Sequence, residues 1–290
     1  TVGSYVIGSD HLFTDMFLTI GAQRDGSVGA SAYMDGLRAT HYVLRYGTDK
    51  YDVPQAPFGS SATEDPYFND VVLLYNGLTA TGTYNNINVA GLDIKFGESG
   101  NEITLQDHSS HQQYPVVVGF VDSLVNAADT ALDTVAHPEI KVAEFVGGYI
   151  DAHANANYDF ELGDFAVEFW MQPYDVSGVK TLFDFSDSTT RFAVLLDNNV
   201  LHAITSTKLT SYVITNPSSR YFSLDAVYSA NEFEVFLNDQ WLSPSQWSVQ
   251  GDNLVIDNAV TLAVNDVITV NRKFNDLSTD GIAADSYYFV

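Results

Sequence analysis

The sequence contains no cysteine, which excludes disulfide bonds, thiol nucleophiles and thiolate metal sites. Basic residues are scarce, with 12 Lys and Arg against 37 Asp and Glu, for a formal net charge of -25 at pH 7. A surface that binds nucleic acid or an anionic membrane needs clustered Lys and Arg, so we expect neither partner. Long apolar runs are also missing, because stretches such as residues 71–75 are far shorter than the roughly 20 residues of a membrane helix. We therefore expect no membrane insertion.

The residues that are abundant favour strands. Hydrophobic residues make up 46% and aromatic residues 13% of the chain, with 17 Tyr and 18 Phe, so the composition suits a β-rich core. Apolar residues recur at every second position in residues 165–170, 191–196 and 232–237, which is the period of a half-buried strand. Many short strands separated by turn residues are typical of a β-sandwich or barrel. We predict an all-β protein.

Two segments depart from this pattern. Residues 123–135 (SLVNAADTALDTV) carry apolar side chains at helical spacing, which predicts one short helix on the surface of the sandwich. Proline, glycine and serine interrupt residues 52–65 and predict a linker there. A second, weaker boundary lies near residues 230–231. The chain then divides into an N-terminal β segment (1–58), a sandwich (64–230) and a small C-terminal β-module with a tail (231–290).

Several stretches carry a resemblance to a known family. They are residues 65–77 (DPYFNDVVLLYNG), residues 147–151 (GGYID) with residues 162–173 (LGDFAVEFWMQP), and residues 183–185 with residues 192–194. Together they resemble the laminin-G-like, concanavalin A-like domains found in virion proteins of marine bacteriophages. The resemblance implies a two-sheet jelly-roll sandwich with flanking β segments.

The flanks of this domain extend the resemblance. Residues 32–40 (AYMDGLRAT) resemble the strand that normally closes such a domain, although here they precede its opening strand. They either belong to the tail of a separate module or complete the downstream sandwich in a permuted order. Residues 233–270 are similar to a small β-module of phage tail-fibre and other virion proteins.

The resemblance implies a non-catalytic structural protein located in the virion. Its role would be that of a tail fibre or receptor-binding protein, or that of a decoration protein on the capsid. The expected partners are other capsid or tail proteins, further copies of the chain, and a host-surface glycan bound by the lectin-like domain. Ca²⁺ sometimes accompanies glycan binding in this family, so the resemblance admits Ca²⁺ as a cofactor without requiring it.

The alternative function is that of a polysaccharide-degrading glycoside hydrolase, because the concanavalin A-like fold also carries glucanases. Such enzymes place two carboxylates at one cleft, about 5–5.5 Å apart for retention or roughly 6.5–9.5 Å apart for inversion. The nearest acidic stretch, Glu161, Asp164 and Glu168, has uneven spacing and spans a turn. Phe165 and Phe169 face the core from the same strand, so we expect these acids on a solvated outer face.

Loop carboxylates and amides offer ligands for Ca²⁺, which binds about six to eight oxygen atoms. The candidate ligands are Asp151, Asn155, Asp159, Asp184 and Asp187. No EF-hand spacing is present, and so acidic a chain brings carboxylates together by chance. The competing interpretation is that these residues form turns and keep the protein soluble.

Aromatic residues near turns offer a surface for sugars, because carbohydrates stack their apolar faces on exposed rings. Tyr158, Tyr174, Trp241 and Trp247 are flanked by turn residues and are the candidate sugar contacts. The alternative is burial, since large aromatic side chains dominate the energetics of protein cores.

Two further features concern the histidines and the chain ends. His108 and His111 form the closest histidine pair, but a zinc site needs three or four convergent ligands, so we expect a polar loop there. Residues 286–290 (SYYFV) and the apolar side chains of residues 13–20 predict docking of both ends. Each end could pair with the sandwich or, by strand addition, with a neighbouring subunit. We hypothesise that one end anchors the protein to a larger assembly.

Overall fold

The structure, a computed structural model, describes residues 16–23, 26, 28–42, 45, 58–59, 61–75, 80–81, 83–84, 87–88, 95–96, 104–105, 109, 111, 116–118, 121–124, 142–146, 149–154, 158, 165–187, 189–279, 281–284, 286 and 288–290. Its strands are β1 (Phe17–Ile20), β2 (Ser31–His41), β3 (Val71–Tyr75), β4 (Ala80–Thr81), β5 (Thr83–Tyr84), β6 (Ile87–Asn88), β7 (Lys95–Phe96), β8 (Thr104–Leu105), β9 (Val116–Val118), β10 (Val121–Leu124), β11 (Val142–Val146), β12 (Tyr149–Ala154), β13 (Phe165–Pro173), β14 (Val179–Ser186), β15 (Thr190–Asp197), β16 (Val200–Val213), β17 (Tyr221–Ser223), β18 (Phe233–Leu237), β19 (Gln240–Leu242), β20 (Trp247–Gln250), β21 (Asn253–Ile256), β22 (Val267–Thr279) and β23 (Tyr288–Phe289). Short 3-10 helices cover Phe68–Asp70, Ala230–Glu232 and Pro244–Gln246.

Antiparallel pairing joins most of these strands into two principal sheets. Among the described residues, the larger sheet has eleven strands in the order β19-β18-β22-β16-β15-β14-β1-β12-β9-β8-β4. The smaller sheet has seven, in the order β23-β13-β2-β11-β10-β7, with β3 also paired to β2. The predicted all-β sandwich class is confirmed, whereas the jelly-roll arrangement of its strands stays a prediction.

The two principal sheets pack around a central core. Alternation along each strand turns one set of side chains into this core and the other set away from it. Phe183 and Phe185 illustrate the pattern on β14, where their ring centroids lie 4.8 Å apart in an edge-to-face arrangement. The fully buried members from the two sheets include Leu18, Ile20, Phe145, Phe169, Met171, Phe183 and Phe185.

Strands from the first 58 residues lie inside both sheets. β1 lies between β12 and β14 in the larger sheet. β2 lies between β11 and β13 in the smaller sheet, paired along its length from Ala32 to His41. Of the two alternatives for residues 32–40, the pairing favours the one in which they complete the downstream sandwich, whereas a permuted strand order stays a prediction.

Replacing Leu18 with alanine should lower the free energy of unfolding by about 2–5 kcal/mol, because the truncation leaves a cavity in the central core. Leu18 on β1 is fully buried. Urea denaturation followed by circular dichroism measures the change. Val213→Ala is the control, because Val213 is 61% exposed and should change stability by less than about 0.5 kcal/mol. Equal values for the two variants would contradict the placement of β1 in the core.

A second core lies under the C-terminal part of the larger sheet. β16 and β22 are 14 and 13 residues long and pair past two β-bulges, so this pair of strands reaches from the central core to the second one. There it packs, with β18, around Ile214, Trp247, Leu254 and Val270. Since Ile214 precedes the boundary predicted at residue 231, this core includes residues from both sides of it.

Residues after position 57 cover the outer face of the smaller sheet. Phe58 packs with Val71 and Leu74 in a small apolar cluster, and Asp65 is buried nearby. The C-terminal end of the linker predicted over residues 52–65 is therefore a packed part of the sandwich. Residues 52–57 lie outside the described residues.

The helix predicted over residues 123–135 is wrong at its start. Ser123 and Leu124 belong to β10, where they pair with Ala143 and Val142 of β11. Cross-strand pairing supplies packing and hydrogen bonds that local spacing does not reveal, so tertiary context overrides the helical pattern. Residues 125–135 lie outside the described residues.

Both apolar ends contact the molecule's own sandwich. β23 pairs with β13, and backbone hydrogen bonds between Phe169 and Val290 extend the pairing. Met16, just before β1, is buried, and Phe13 lies outside the described residues. Residues 288–290 therefore dock by pairing with a strand of the same molecule. Anchoring of either end to a larger assembly stays a hypothesis.

Candidate functional site

The four predicted sugar contacts divide into buried and half-buried rings. Tyr158 lies in the central core with 0% exposure and Trp247 in the second core with 6%. Stacking on a sugar requires an exposed ring, so the predicted sugar contact is wrong for both residues. Trp247 also donates its Nε1–H to a backbone carbonyl 3.2 Å away, which satisfies its polar atom internally. Tyr174 is half-buried and donates its hydroxyl to a backbone carbonyl at 2.7 Å. Trp241 is half-buried at the edge of the larger sheet.

The predicted Ca²⁺ ligands serve other purposes where the structure describes them. Asp184 is buried and paired with an arginine of β15. Asp187 accepts hydrogen bonds from the amides of the two following threonines and so closes the turn between β14 and β15. Asp151 is half-buried on β12, and Asn155 and Asp159 lie outside the described residues. In the described part of the chain, no group of three or more His, Asp or Glu side chains could hold a metal ion.

We expect millimolar EDTA to leave the Tm unchanged. The carboxylates of Asp184 and Asp187 already have arginine and backbone partners, so removing a cation should withdraw no stabilising contact from them. Differential scanning fluorimetry with and without chelator measures the effect. A fall in Tm that added Ca²⁺ reverses would restore the calcium site.

A row of buried polar side chains crosses the face of the larger sheet that points away from the central core. Arg191 donates from Nε and Nη2 to Asp184 Oδ2, at 3.2 and 3.1 Å, and from Nη1 to Glu234. Ser206 donates its hydroxyl to Glu234, and Asn271 donates its amide to Ser206 at 3.5 Å. We call these five residues the Arg191 network. Each comes from a different strand, so the network ties five strands together.

The Arg191 network contains two carboxylates and one guanidinium. Desolvation raises the pKa of Asp184; the charge of Arg191 opposes this rise, and the charge of Glu234 adds to it. A proton on Asp184 leaves Glu234 and Arg191 as a balanced pair, which avoids an excess charge in the interior. The network is therefore suited to fixing one arrangement of the strands.

A curl of the larger sheet closes over this polar face. The backbone N–H of Trp241 on β19 donates to Gln23 Oε1, just after β1, at 3.3 Å. Five strands separate β19 from β1 in the sheet, and in a flat sheet six spacings would place them about 29 Å apart. The edge must therefore bend back toward the β1 turn, which explains why Arg191 is only 4% exposed.

A second buried ion network lies on the outer face of the smaller sheet. Arg38 on β2 donates to both carboxylate oxygens of Glu168 on β13, at 2.8 and 3.0 Å, and to Asp65 at 3.0 Å. Arg45 donates to Asp65 at 3.0 Å and to the Thr40 hydroxyl at 2.6 Å. We call these five residues the Arg38 network. It fastens the segment that contains Asp65 to the sheet.

The Arg38 network bears on the hydrolase alternative. Burial opposes ionisation of Asp65, but hydrogen bonds from Arg45 and the Tyr67 amide outweigh it and hold the pKa of Asp65 below its ordinary value. Glu168 is 3% exposed, so the outer face predicted for it is covered rather than solvated. Glu161 and Asp164 lie outside the described residues.

Two exposed tyrosine rings and two half-buried imidazoles lie beside the Arg38 network at the end of β2. Tyr42 is 50% exposed and its ring centroid lies 4.1 Å from that of His41. The rings of His41 and His111 are 6.2 Å apart, and the charge of Asp70 acts on His41. Tyr67 is 38% exposed and lies over the guanidinium of Arg45. We call Tyr42, His41, His111, Asp70 and Tyr67 the Tyr42 surface.

No protein-family model, no curated protein and no solved structure matches the chain. Among the described residues, no helix combines the length and apolar character needed to cross a membrane.

Sequence reasoning missed both arginine networks. Only 12 basic residues are present, so an arginine inside an apolar strand is itself a signal. Arg38 and Arg191 both stand in such strands, where a buried charge requires a partner. Their partners could not be named, because Glu168 lies 130 residues from Arg38 and Glu234 lies 43 residues from Arg191.

Proposed function

We propose that the protein is a non-catalytic structural component of a virion, displayed on the particle as a tail-fibre or decoration protein, with a host-surface glycan as its ligand. The resemblance of residues 65–77 and 162–173 to virion β-sandwich domains suggests the class. The ligand follows from the lectin-like character of that class. The proposal covers both a tail-fibre and a decoration role, which differ in where the protein sits on the particle.

The observation that carries the non-catalytic part of the proposal is the state of the buried acids. Within the described residues, the buried carboxylates are Asp65, Glu168, Asp184 and Glu234. Each is paired with an arginine that also holds a second carboxylate. A glycosidase needs one acid free to donate a proton and another free to attack or to activate water. These four carboxyl groups are buried as well as bound to arginine, so we assign neither role to them.

The net charge agrees with display on a particle. At -25 the protein is strongly acidic, which keeps it soluble and repels unwanted association with other anionic surfaces. In a saline medium of about 0.5 M the Debye length falls to about 4–5 Å, so close approach to a host surface remains open.

Immunogold labelling of intact purified virions tests the proposal. Antibodies raised against the folded protein should decorate the particles, and the positions of the gold should separate tail from capsid. Particles disrupted by detergent or heat before labelling provide the control, because disruption exposes epitopes that are buried in the intact particle. If neither intact nor disrupted particles bind the antibody, the protein is not a virion component.

A further inference from the structure

The face that carries the Arg191 network also holds buried polar atoms without a protein partner. In the described part of the chain, the buried atoms that make no hydrogen bond include Thr181 Oγ1, Asp184 Oδ1, Trp241 Nε1 and Asn271 Oδ1, and we call these four the orphaned atoms. Buried polar groups in folded proteins nearly always bond to the protein or to ordered water. A buried polar atom without a protein partner therefore points to a bound water molecule or ion.

Strand pairing places Thr181 and Asp184 on this face. Thr181 lies opposite Leu195 of β15, and Asp184 lies opposite Ala193 of the same strand. Leu195 and Ala193 belong to a small apolar cluster that is separate from the central core. Side chains directly opposite one another on paired strands lie on the same face of a sheet. The two orphaned atoms of β14 are therefore on the face that points away from the central core.

Trp241 and Asn271 lie on the same face of the sheet. Trp241 on β19 is opposite Phe236 on β18, and the guanidinium of Arg191 lies over the Phe236 ring, 5.4 Å from its centre. Asn271 on β22 is opposite Glu234, a member of the Arg191 network. The orphaned atoms thus come from β14, β19 and β22, and they flank the network.

The segment that links β1 to β2 contacts this face at two of the four residues. The backbone N–H of Thr181 donates to the carbonyl oxygen of Val28 at 2.8 Å, and the backbone N–H of Trp241 donates to Gln23 Oε1 at 3.3 Å. Val28 has a φ of 53°, which a β-branched residue seldom adopts, so contacts rather than local preference fix the segment. Thr181 and Trp241 are therefore held against the same segment.

The orphaned atoms require a partner that both accepts and donates hydrogen bonds. The indole N–H of Trp241 can only donate. Ser206 gives its proton to Glu234, so its oxygen accepts from the amide nitrogen of Asn271 and leaves Asn271 Oδ1 as an acceptor. An anion such as chloride cannot donate to Asn271 Oδ1, and a metal cation cannot accept from Trp241. Water does both, and in proteins it is held by about two to four polar partners.

We propose that ordered water binds beneath the segment that links β1 to β2, bonded to Thr181, Trp241, Asp184 and Asn271. Asp184 and Asn271 are the two ends of the chain of hydrogen bonds through the Arg191 network. The hydroxyl of Thr181 and the carboxyl group of Asp184 meet water as donors or acceptors, according to where their protons lie. The bound water completes the hydrogen bonding of the network, and the curl of the larger sheet closes over a hydrated interior.

NOESY and ROESY spectra of the ¹⁵N-labelled, deuterated protein test this site at the indole N–H of Trp241. The variant Trp241→Phe identifies the signal by its loss. Trp247 is the matched control, because it is buried and donates its indole N–H to the carbonyl oxygen of Leu242 at 3.2 Å. Water that stays bound while the protein tumbles gives cross-peaks of opposite sign in the two spectra, whereas proton exchange gives the same sign in both.

The indole proton of Trp241 should show water cross-peaks of opposite sign, and that of Trp247 should show none. A missing cross-peak at Trp241, cross-peaks of the same sign in both spectra, or equal cross-peaks at the two indoles would overturn the inference.

Thr181→Val tests the same water through the sign of its effect on stability. The change replaces the hydroxyl with a methyl group and should lower the Tm by about 2–4 °C, because the bound water loses a partner. Removal of a hydroxyl that had been buried without any partner would instead leave the Tm unchanged or raise it, and that result would overturn the water at this residue.

Discussion

Replacing Arg191 with methionine should lower the free energy of unfolding by about 3–5 kcal/mol at neutral pH, because it leaves the carboxyl groups of Asp184 and Glu234 buried without their cation. Arg191 is the contact between Asp184 and Glu234, and all three side chains are at most 5% exposed. Methionine preserves much of the side-chain volume, so the loss measures charge rather than a cavity. Guanidinium denaturation followed by tryptophan fluorescence gives the value.

Arg272→Met is the matched control for this experiment. Arg272 lies on β22, its ion pair with Glu232 spans 3.8 Å, and its side chain is 47% exposed. Exposed pairs contribute about 0–1 kcal/mol, so this variant should be nearly neutral. If Arg191→Met were as mild as Arg272→Met, the Arg191 network would not hold the curled sheet.

The deficit of Arg191→Met should shrink as the pH falls toward about 4, where carboxyl groups take up protons. Desolvation already raises the pKa of Asp184, and without the guanidinium the charge that opposes this rise is gone. A carboxyl group with a raised folded pKa contributes full stability below its unfolded pKa and loses it as the pH rises. Denaturation curves at several pH values measure this, and a deficit independent of pH would point to lost packing instead.

Replacing Arg38 with methionine should cost a similar amount, about 3–5 kcal/mol, and should also loosen the segment around Asp65. Arg38 joins that segment to Glu168, and its guanidinium lies 3.9 Å from the centre of the Phe58 ring. Hydrogen–deuterium exchange should therefore speed up at the amides of residues 64–70 before global unfolding.

Two further variants test whether the loss in Arg38→Met comes from an unpaired buried charge. Lys180→Met removes a surface ion pair with Asp175 and should leave both stability and exchange near those of the unmodified chain. Arg38→Met combined with Glu168→Met should recover part of the loss, because no unpaired charge remains between β2 and β13. Unchanged exchange at residues 64–70 in Arg38→Met would show that other contacts hold the segment.

The strands were predictable where apolar side chains occupy one face of a strand and polar side chains the other. Alternation in residues 165–170, 191–196 and 232–237 corresponds to β13, β15 and β18. The same signal fails at residue 123, where side chains at helical spacing lie in β10 because Ser123 and Leu124 pair with β11. Local sequence patterns therefore predict which side chains of a strand face the core. They do not reveal where pairing with a distant strand overrides a helical pattern.

The candidate sites were less predictable, because their residues meet only through long-range pairing. The Arg191 network draws single residues from β14, β15, β16, β18 and β22, and the curl that buries it closes between Gln23 and Trp241. Tyr158 and Trp247 were misplaced because turn residues beside an aromatic ring do not show which way the ring points. Tyr42 was overlooked because its distinguishing feature is a backbone angle.

Incubation of the unmodified protein with the polysaccharide of the host surface tests the central claim most directly. One sample should be assayed for sedimentation of the protein with the polysaccharide, and the same sample for newly formed reducing ends. The account predicts that the protein is retained on the polysaccharide and that no reducing ends appear. Reducing ends that accumulate in proportion to protein concentration would contradict it and identify a hydrolase.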